Sequence, residues 1–388
     1  MTKRHLSIGM LAGAMFLALS ITAGAQILVS GNDEKVLWDD AGKAIFMAPG
    51  KDTISFIDIG NRENPKILTN IALENSIFGP PTNLAVHPSG EIALVANSVT
   101  QIKDGESWKP TPDNKVYIFD LTQTPPKQIG TVEVGKQPSG LDISKKGDLA
   151  LVTNRADNSI SVLTISGKDV KVTDTVAMGD SVAHVAISAD GTKALAVKPL
   201  TNKVAFLKIN GQKVVYEKYD MPTGVFPYNV DIVPNGTIAL VANNGAAGSP
   251  DGNVDTVSVI DLSQNPPRVI DHVVVGDAPE GLAISPKGDL ALAILVAGNS
   301  NKKAFFSRHE GTAVVLKIDG KKVTKVTDIV VGGLAEGVAY SPDGAYAYIG
   351  NFLDSDMSIL KINGTEVTDT GKKLKLPGHP ASLRSAPK

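Results

Sequence analysis

Cysteine is absent from all 388 residues. That removes disulfides, thiol nucleophiles, lipid attachment through a thioether and covalent haem attachment. Aromatic side chains make up only 5% of the chain, so its core must be built from short aliphatic groups. Neither sign of charge predominates: 38 Lys and Arg against 40 Asp and Glu leave a formal charge of -2. That balance argues against a generally cationic nucleic-acid binder. No stretch beyond residue 25 repeats its apolar residues with a helical period. None there approaches the ~20 consecutive apolar residues that a membrane span needs.

The first 25 residues have their own character. Lys3, Arg4 and His5 precede an apolar run from Leu6 to Ile21, and Ala23-Gly24-Ala25 follows. A cationic start, an apolar middle and a small-residue end predict a secretory signal peptide over 1–25. The mature chain then starts near Gln26 and enters the periplasm or the secreted space, with no membrane span remaining. Losing Lys3 and Arg4 takes the charge from -2 to about -4. Residues 26–388 read as one domain and as a monomer.

Glycine is abundant, with 37 residues, and its placement is periodic. Turns of the "SPDG" kind carry glycine at Gly42, Gly90, Gly147, Gly191, Gly236, Gly288 and Gly344, spaced 44 to 57 residues apart. Spacings of that size indicate solenoids, propellers or arrays. Each copy leads with a short apolar stretch ("GLAIS", "GVAYS"), turns, and continues as "LALVTN", "IALVAN" or "YAYIGN". A polar loop, a strand such as "SISVLTI" or "TVSVIDL", a hairpin turn and a last strand complete it. Ser166-Gly167, Asn210-Gly211, Asp319-Gly320 and Asn363-Gly364 predict type I′ hairpins. Seven units of four antiparallel strands predict an all-β, seven-bladed β-propeller.

"LALVTN", "IALVAN" and "YAYIGN", set between "SPDG"-type turns and "VSVIDL", resemble the YVTN repeat of bacterial seven-bladed propellers. That family includes lactonase-like proteins and exported propellers of mostly unassigned role. The resemblance spans about 30 to 388 and concerns the residues that pack blades. The tail "PGHPASLRSAP" looks like the opening of a further copy, while "EKVLWDDAG" reads as the first blade's own inner strand. The tail therefore either displaces that strand to close the ring or lies over one face.

With strands lettered A to D from the axis outward, the A–B and C–D turns share one face. The B–C loops and the D–A links share the other. The second face carries the irregularity: "SVTQIKDGESWKPTPD" in blade two, "NGAAGSPDGNV" in blade five and "VAGNSNKKAFFSRHEG" in blade six. Small residues suit the crowded axis where strand A begins, and Asn83, His184, Tyr228, Asn229, Glu280 and Glu336 depart from that. Strand B closes on Asn97, Asn154, Asn243 and Asn351 in four blades, but on Lys198 and Leu295 in blades four and six. Asn at such ends binds turn backbone.

These departures predict a polar site on the long-loop face, where His184, Lys198, Glu280 and Glu336 converge. A small polar or anionic ligand, or a periplasmic protein, would be bound there, with Asn83, Arg155, Tyr228 and Asn229 as further contacts. The alternative, implied by the resemblance, is a lactonase-like hydrolase with His184 as general base and Glu280 or Glu336 orienting it. Plain salt bridges from the glutamates to Lys198 or Arg155 are the structural alternative. Glu280, Glu336, Asn83 and Asn229 could also hold a divalent cation such as calcium, which accepts mixed oxygen ligands. Propeller lactonases of another repeat type use an axial divalent ion, though no motif here matches theirs. "DGNVD" (Asp251, Asn253, Asp255) opens like a calcium loop but lacks its Gly and Glu. In "KKAFFSRH", Lys302, Lys303, Arg308 and His309 flank Phe305 and Phe306, a pattern that suits single-stranded nucleic acid or another planar anion. Export of a slightly acidic chain places that reading third.

Overall fold

The computed structural model describes residues 26–75, 78–246 and 249–386. The predicted leader, residues 1–25, lies outside them. Seven four-stranded antiparallel sheets form the blades of a β-propeller. Blade three is typical: Pro138–Ile143, Leu149–Asn154, Ser159–Ser166 and Asp169–Ala177 run outward in that order.

Burial explains the composition. Strand B of blade three, "LALVTN", is buried at every position, whereas its outermost strand "DVKVTDTVA" is mostly exposed. Charged and Thr-rich outer strands blunt the exposed edges of the sheets. Every pair of neighbouring blades shares its own apolar cluster. Between blades three and four, Leu151, Ile160 and Val162 meet Val185, Ala196 and Leu207. Truncating one of these, as in Leu151→Ala, should cost about 2–5 kcal/mol through lost transfer energy and the cavity left behind.

The A–B turns have the expected chemistry. Gly147, Gly288 and Gly344 each donate their N–H to the serine carbonyl three residues earlier, at 2.8–2.9 Å. Their φ of +74° to +81° or +68° is left-handed and favours glycine. The four C–D hairpins differ from expectation by one residue. Ser166 still pairs with Asp169 and Asn210 with Lys213, so the central pairs are Gly167-Lys168 and Gly211-Gln212. Positive φ occurs at the glycine alone, 59° at Gly167 and 60° at Gly211. That is the type II′ pattern rather than I′.

The ring closes through both ends of the chain. The tail strand His379–Ser385 is the inner strand of blade one, pairing from Leu28↔Ser385 to Asp33↔His379 with Ile27–Asp33. Thr53–Asp58 and Lys66–Ala72 complete that blade. The first reading of "EKVLWDDAG" as an inner strand is thereby corrected. Val36–Trp38 pairs with Ala44–Phe46 as a separate hairpin inside the B–C connection. Gly42 N–H donates to Asp39 O at 2.9 Å, so this turn repeats the chemistry of the A–B turns on the opposite face. Six of the seven glycine marks are A–B turns; the seventh junction is the gap between the chain ends. The hairpin packs Val36, Leu37 and Trp38 onto Ala278, Leu334, Phe352 and Ala381, so it covers part of the long-loop face beside the axis.

Candidate functional site

Where strand A begins, adjacent inner strands approach closely. Gly140 N–H bonds Ala183 O at 2.8 Å and Leu141 N–H bonds Thr82 O at 3.1 Å. A Cβ on Gly140 would collide with His184 and Thr82, and one on Gly281 with the Glu336 carbonyl. Glycine is what this spacing tolerates, so the larger polar side chains at the same level point into or along the channel.

Of those, Glu280 and Glu336 meet. Glu336 donates a hydrogen bond to Glu280, which also accepts one from Asn244 Nδ2 at 3.1 Å. Burial holds both carboxyls above the ordinary range, Glu280 at about 7, with the charge of Glu280 acting further on Glu336. Two acids this close hold a proton between them. Arg155 lies near Glu280 and partly offsets that rise. Its guanidinium carbon sits 5.8 Å from the Tyr228 ring centroid, while its Nη1 donates to Phe78 O at 3.1 Å. Blades three, five, six and seven thus supply one cluster of Arg155, Tyr228, Asn244, Glu280 and Glu336.

Around this cluster several buried polar atoms have no protein partner: Thr82 Oγ1, Asn83 Oδ1, Ser139 Oγ and Asn244 Oδ1. Asn83 Nδ2 is engaged, donating to Ala96 O at 3.0 Å. Asn229 stands beside His184. An unmet buried polar group costs about 1–3 kcal/mol, so a ring of them is a place built for hydrogen bonds from outside the protein.

Two expected members are elsewhere. Lys198 is not in the cluster. Its Nζ is 3.0 Å from Asp220 Oδ2 and 2.8 Å from Tyr216 Oη, within its own blade. It fills the place that asparagine holds in other blades, where Asn154 and Asn351 tie strand B to Ser161 and Ser358. Asn32 does the same in blade one with Ser55, a copy concealed by the misplaced first register mark. His184 stands outside the cluster and contacts Val230 and Asn229 rather than either glutamate. Its Nδ1 accepts from Val230 N–H at 3.2 Å, and burial followed by the Arg384 charge keeps the ring neutral. The salt bridges proposed between the glutamates and Lys198 are likewise absent.

The long loops differ in kind. The blade-two insertion is a β-ribbon, Ile92–Asp104 paired with Ser107–Asp120. In blade five, Asp251 accepts from Asn253 and Asp255 accepts from Ala278 N–H, so both carboxylates serve their own surroundings. In blade six, Phe306 packs against Gly252 and Gly298 while Phe305 is 95% exposed. Lys302 pairs with Asp40 and His309 with Asp354; Lys303 N–H bonds Asp40 O and Arg308 bonds Thr312. The loop is therefore one partly neutralised, with a single presented ring. No group of three or more His, Asp or Glu arranged to hold a metal occurs among the described residues.

Residues missed by the reading lie one step further along strand A. "GLDIS" and "NVDIV" place Asp142 and Asp231 where most copies have alanine, and "SLRSA" places Arg384 there. Asn244 was hidden behind the strand-closing Asn243.

The chain is a seven-bladed propeller, and solved structures share that fold. A periplasmic gluconolactonase of Pseudomonas aeruginosa is 17% identical, covering 93% of this chain and 98% of its own with a TM-score of 0.66. A candidate 6-phosphogluconolactonase of Bacteroides fragilis is 16% identical over 94% and 99%, with a TM-score of 0.69. Hydrazine synthase of Kuenenia stuttgartiensis is 19% identical over 80% and 91%, with a TM-score of 0.62. These likenesses show the fold. No family model and no curated protein matches the sequence. No helix among the described residues is long and apolar enough to cross a membrane.

Proposed function

We propose that the chain is an exported propeller that binds a small polar or anionic molecule at the long-loop end of its axis. The observation that carries this is the ring of buried, unpartnered polar atoms around Arg155, Tyr228 and the Glu280–Glu336 pair. Arg155 would take a carboxylate or hydroxyl group, Glu280 would accept from hydroxyls, and Tyr228 would provide a flat wall. The leader-like first 25 residues and the likeness to a periplasmic propeller support export. Gluconate is the probe of choice, given the likeness to a gluconolactonase. Isothermal titration should show binding to the parent and at least about tenfold weaker binding to Arg155→Ala, as expected for a charge-assisted contact. Equal affinity would remove the assignment.

A second reading, lactonase-like hydrolysis, is favoured by the shared proton. Glu336 is poised as an acid and Glu280 as a base, in place of the His184 role expected from sequence. Water attacks the lactone carbonyl, Glu280 taking its proton, and the ring oxygen leaves with the proton from Glu336. Glu336→Gln should then lower turnover about 10²–10⁴-fold without losing gluconate binding. Were calcium to bind, Glu280, Glu336, Asn83 and Asn229 would supply its oxygen ligands at the same site. It would displace the shared proton, so calcium would raise the melting temperature of the parent and not of Glu280→Gln/Glu336→Gln.

A further inference from the structure

The opposite end of the channel, on the short-turn face, holds a cavity of about 280 Å³. Asp142, Asp231, Arg384, Tyr340 and His184 line it beside three serines, with Lys145 at the exposed rim. Ile143, Ile187, Ile232 and Ile284 supply apolar wall between them. His184 lies at its inner end, on the side towards the glutamate pair.

Asp142, Asp231 and Arg384 occupy equivalent places in their inner strands, where blades two, four, six and seven have Ala85, Ala186, Ala283 and Ala339. Blade packing is therefore satisfied by alanine at this level. The three charges are an addition. All three are partly accessible through the cavity. Asp142 Oδ1 and Oδ2 accept from Ile143 and Ile187 N–H, and Asp231 does the same with Ile232 and Ile284, at 2.8–2.9 Å. Each carboxylate oxygen keeps a further lone pair, in fixed geometry. Arg384 spends only Nη1 on the Val338 and Leu383 carbonyls, at 3.3 and 3.0 Å, which leaves Nε and Nη2. Tyr340 is 5% exposed, and its hydroxyl has no protein partner.

We propose that this cavity is a second binding site, distinct from the long-loop mouth, for a small ampholyte carrying both an ammonium and a carboxylate group. Arg384 presents two parallel N–H donors, the geometry that receives a carboxylate. Asp142 and Asp231 receive the ammonium, and Tyr340 Oη adds a hydrogen bond. The isoleucines enclose an aliphatic body. The aspartates and Arg384 act on one another's charges, so a molecule with one charge meets a like charge across the narrow, partly apolar space, whereas an ampholyte opposes neither.

The test is isothermal titration at pH 8 of the full chain with L-leucine and γ-aminobutyrate, using acetate and propylamine as single-charge controls. At least one ampholyte should bind about tenfold or more tightly than either control. Asp142→Asn and Asp231→Asn remove the charge and keep one of the two backbone acceptors at each site; each variant that remains folded by circular dichroism should weaken that ampholyte by a similar factor. Arg384→Gln lies in the closing strand, so the asparagine variants decide the matter if it fails to fold. Glu280→Gln/Glu336→Gln should leave ampholyte binding unchanged. The proposal is overturned if neither ampholyte binds up to millimolar concentration. Controls that bind as well, or asparagine variants that bind as the parent does, overturn it too. Loss of binding in the glutamate double variant would contradict two separate sites.

Discussion

Neutralising the glutamate pair should change how stability depends on pH, by an amount the structure sets. Burial raises the Glu280 carboxyl from 4.5 to about 7. A carboxyl raised on folding contributes stability that is full below its unfolded value and is lost as pH rises through its folded value. For Glu280 that window is about pH 4.5 to 7, and at 1.36 kcal/mol per unit the loss is about 3 kcal/mol. Glu336, raised further in the same direction, adds its own loss over that window and extends it above pH 7. The assay is urea denaturation of the parent and of Glu280→Gln/Glu336→Gln from pH 5 to 8.5. Subtracting the curves cancels groups common to both, including Asp142, which is raised to about 7, and His184, which acts in the opposite sense. The double variant should gain on the parent by at least about 3 kcal/mol across that range, the Glu280 share, with the Glu336 share added to it. Parallel profiles would refute the shared proton and, with it, the acid–base reading of the site.

Three further outcomes follow from the fold. Deleting residues from Pro377 onward removes the inner strand His379–Ser385 and bares the edge of Ile27–Asp33; a strongly lowered melting temperature is expected, and an unchanged one would contradict closure by the tail. Lys35 is fully buried with Asp52 and the Asn75 carbonyl, so Lys35→Met should cost about 3–5 kcal/mol by leaving a buried carboxylate unpaired. Adding Asp52→Asn should recover much of that in urea denaturation, and an equal loss in the double variant would sink the ion-pair account. Asn154→Ala unties Ser159 and Ser161 and should cost about 1–3 kcal/mol, whereas a value near zero would mean the tie contributes nothing.

The blades were legible because turn chemistry and strand alternation are local. "SPKG" and "LALVTN" dictate the same turn and the same buried strand wherever they recur. Ring closure was not legible, because "DDAG" at Gly42 makes the same hydrogen-bonded turn as a blade turn while sitting on the other face. Only pairing across nearly the whole chain separates the two. The Glu280–Glu336 meeting could be anticipated, since both depart from small residues at one level of strand A. Lys198 misled because the end of strand B faces outward within its blade, towards Asp220, rather than towards the axis. Asp142, Asp231 and Arg384 escaped notice because their charges matter only together, and "GLDIS" and "SLRSA" are far apart in sequence.

The most direct test of the central claim is a crystal structure of the full chain soaked with gluconate. The polar axial site predicts density on the long-loop side, within hydrogen-bond distance of Arg155 and Glu280 and flanked by Tyr228. Density confined to the short-turn cavity, or none at a concentration where titration shows binding, would contradict it.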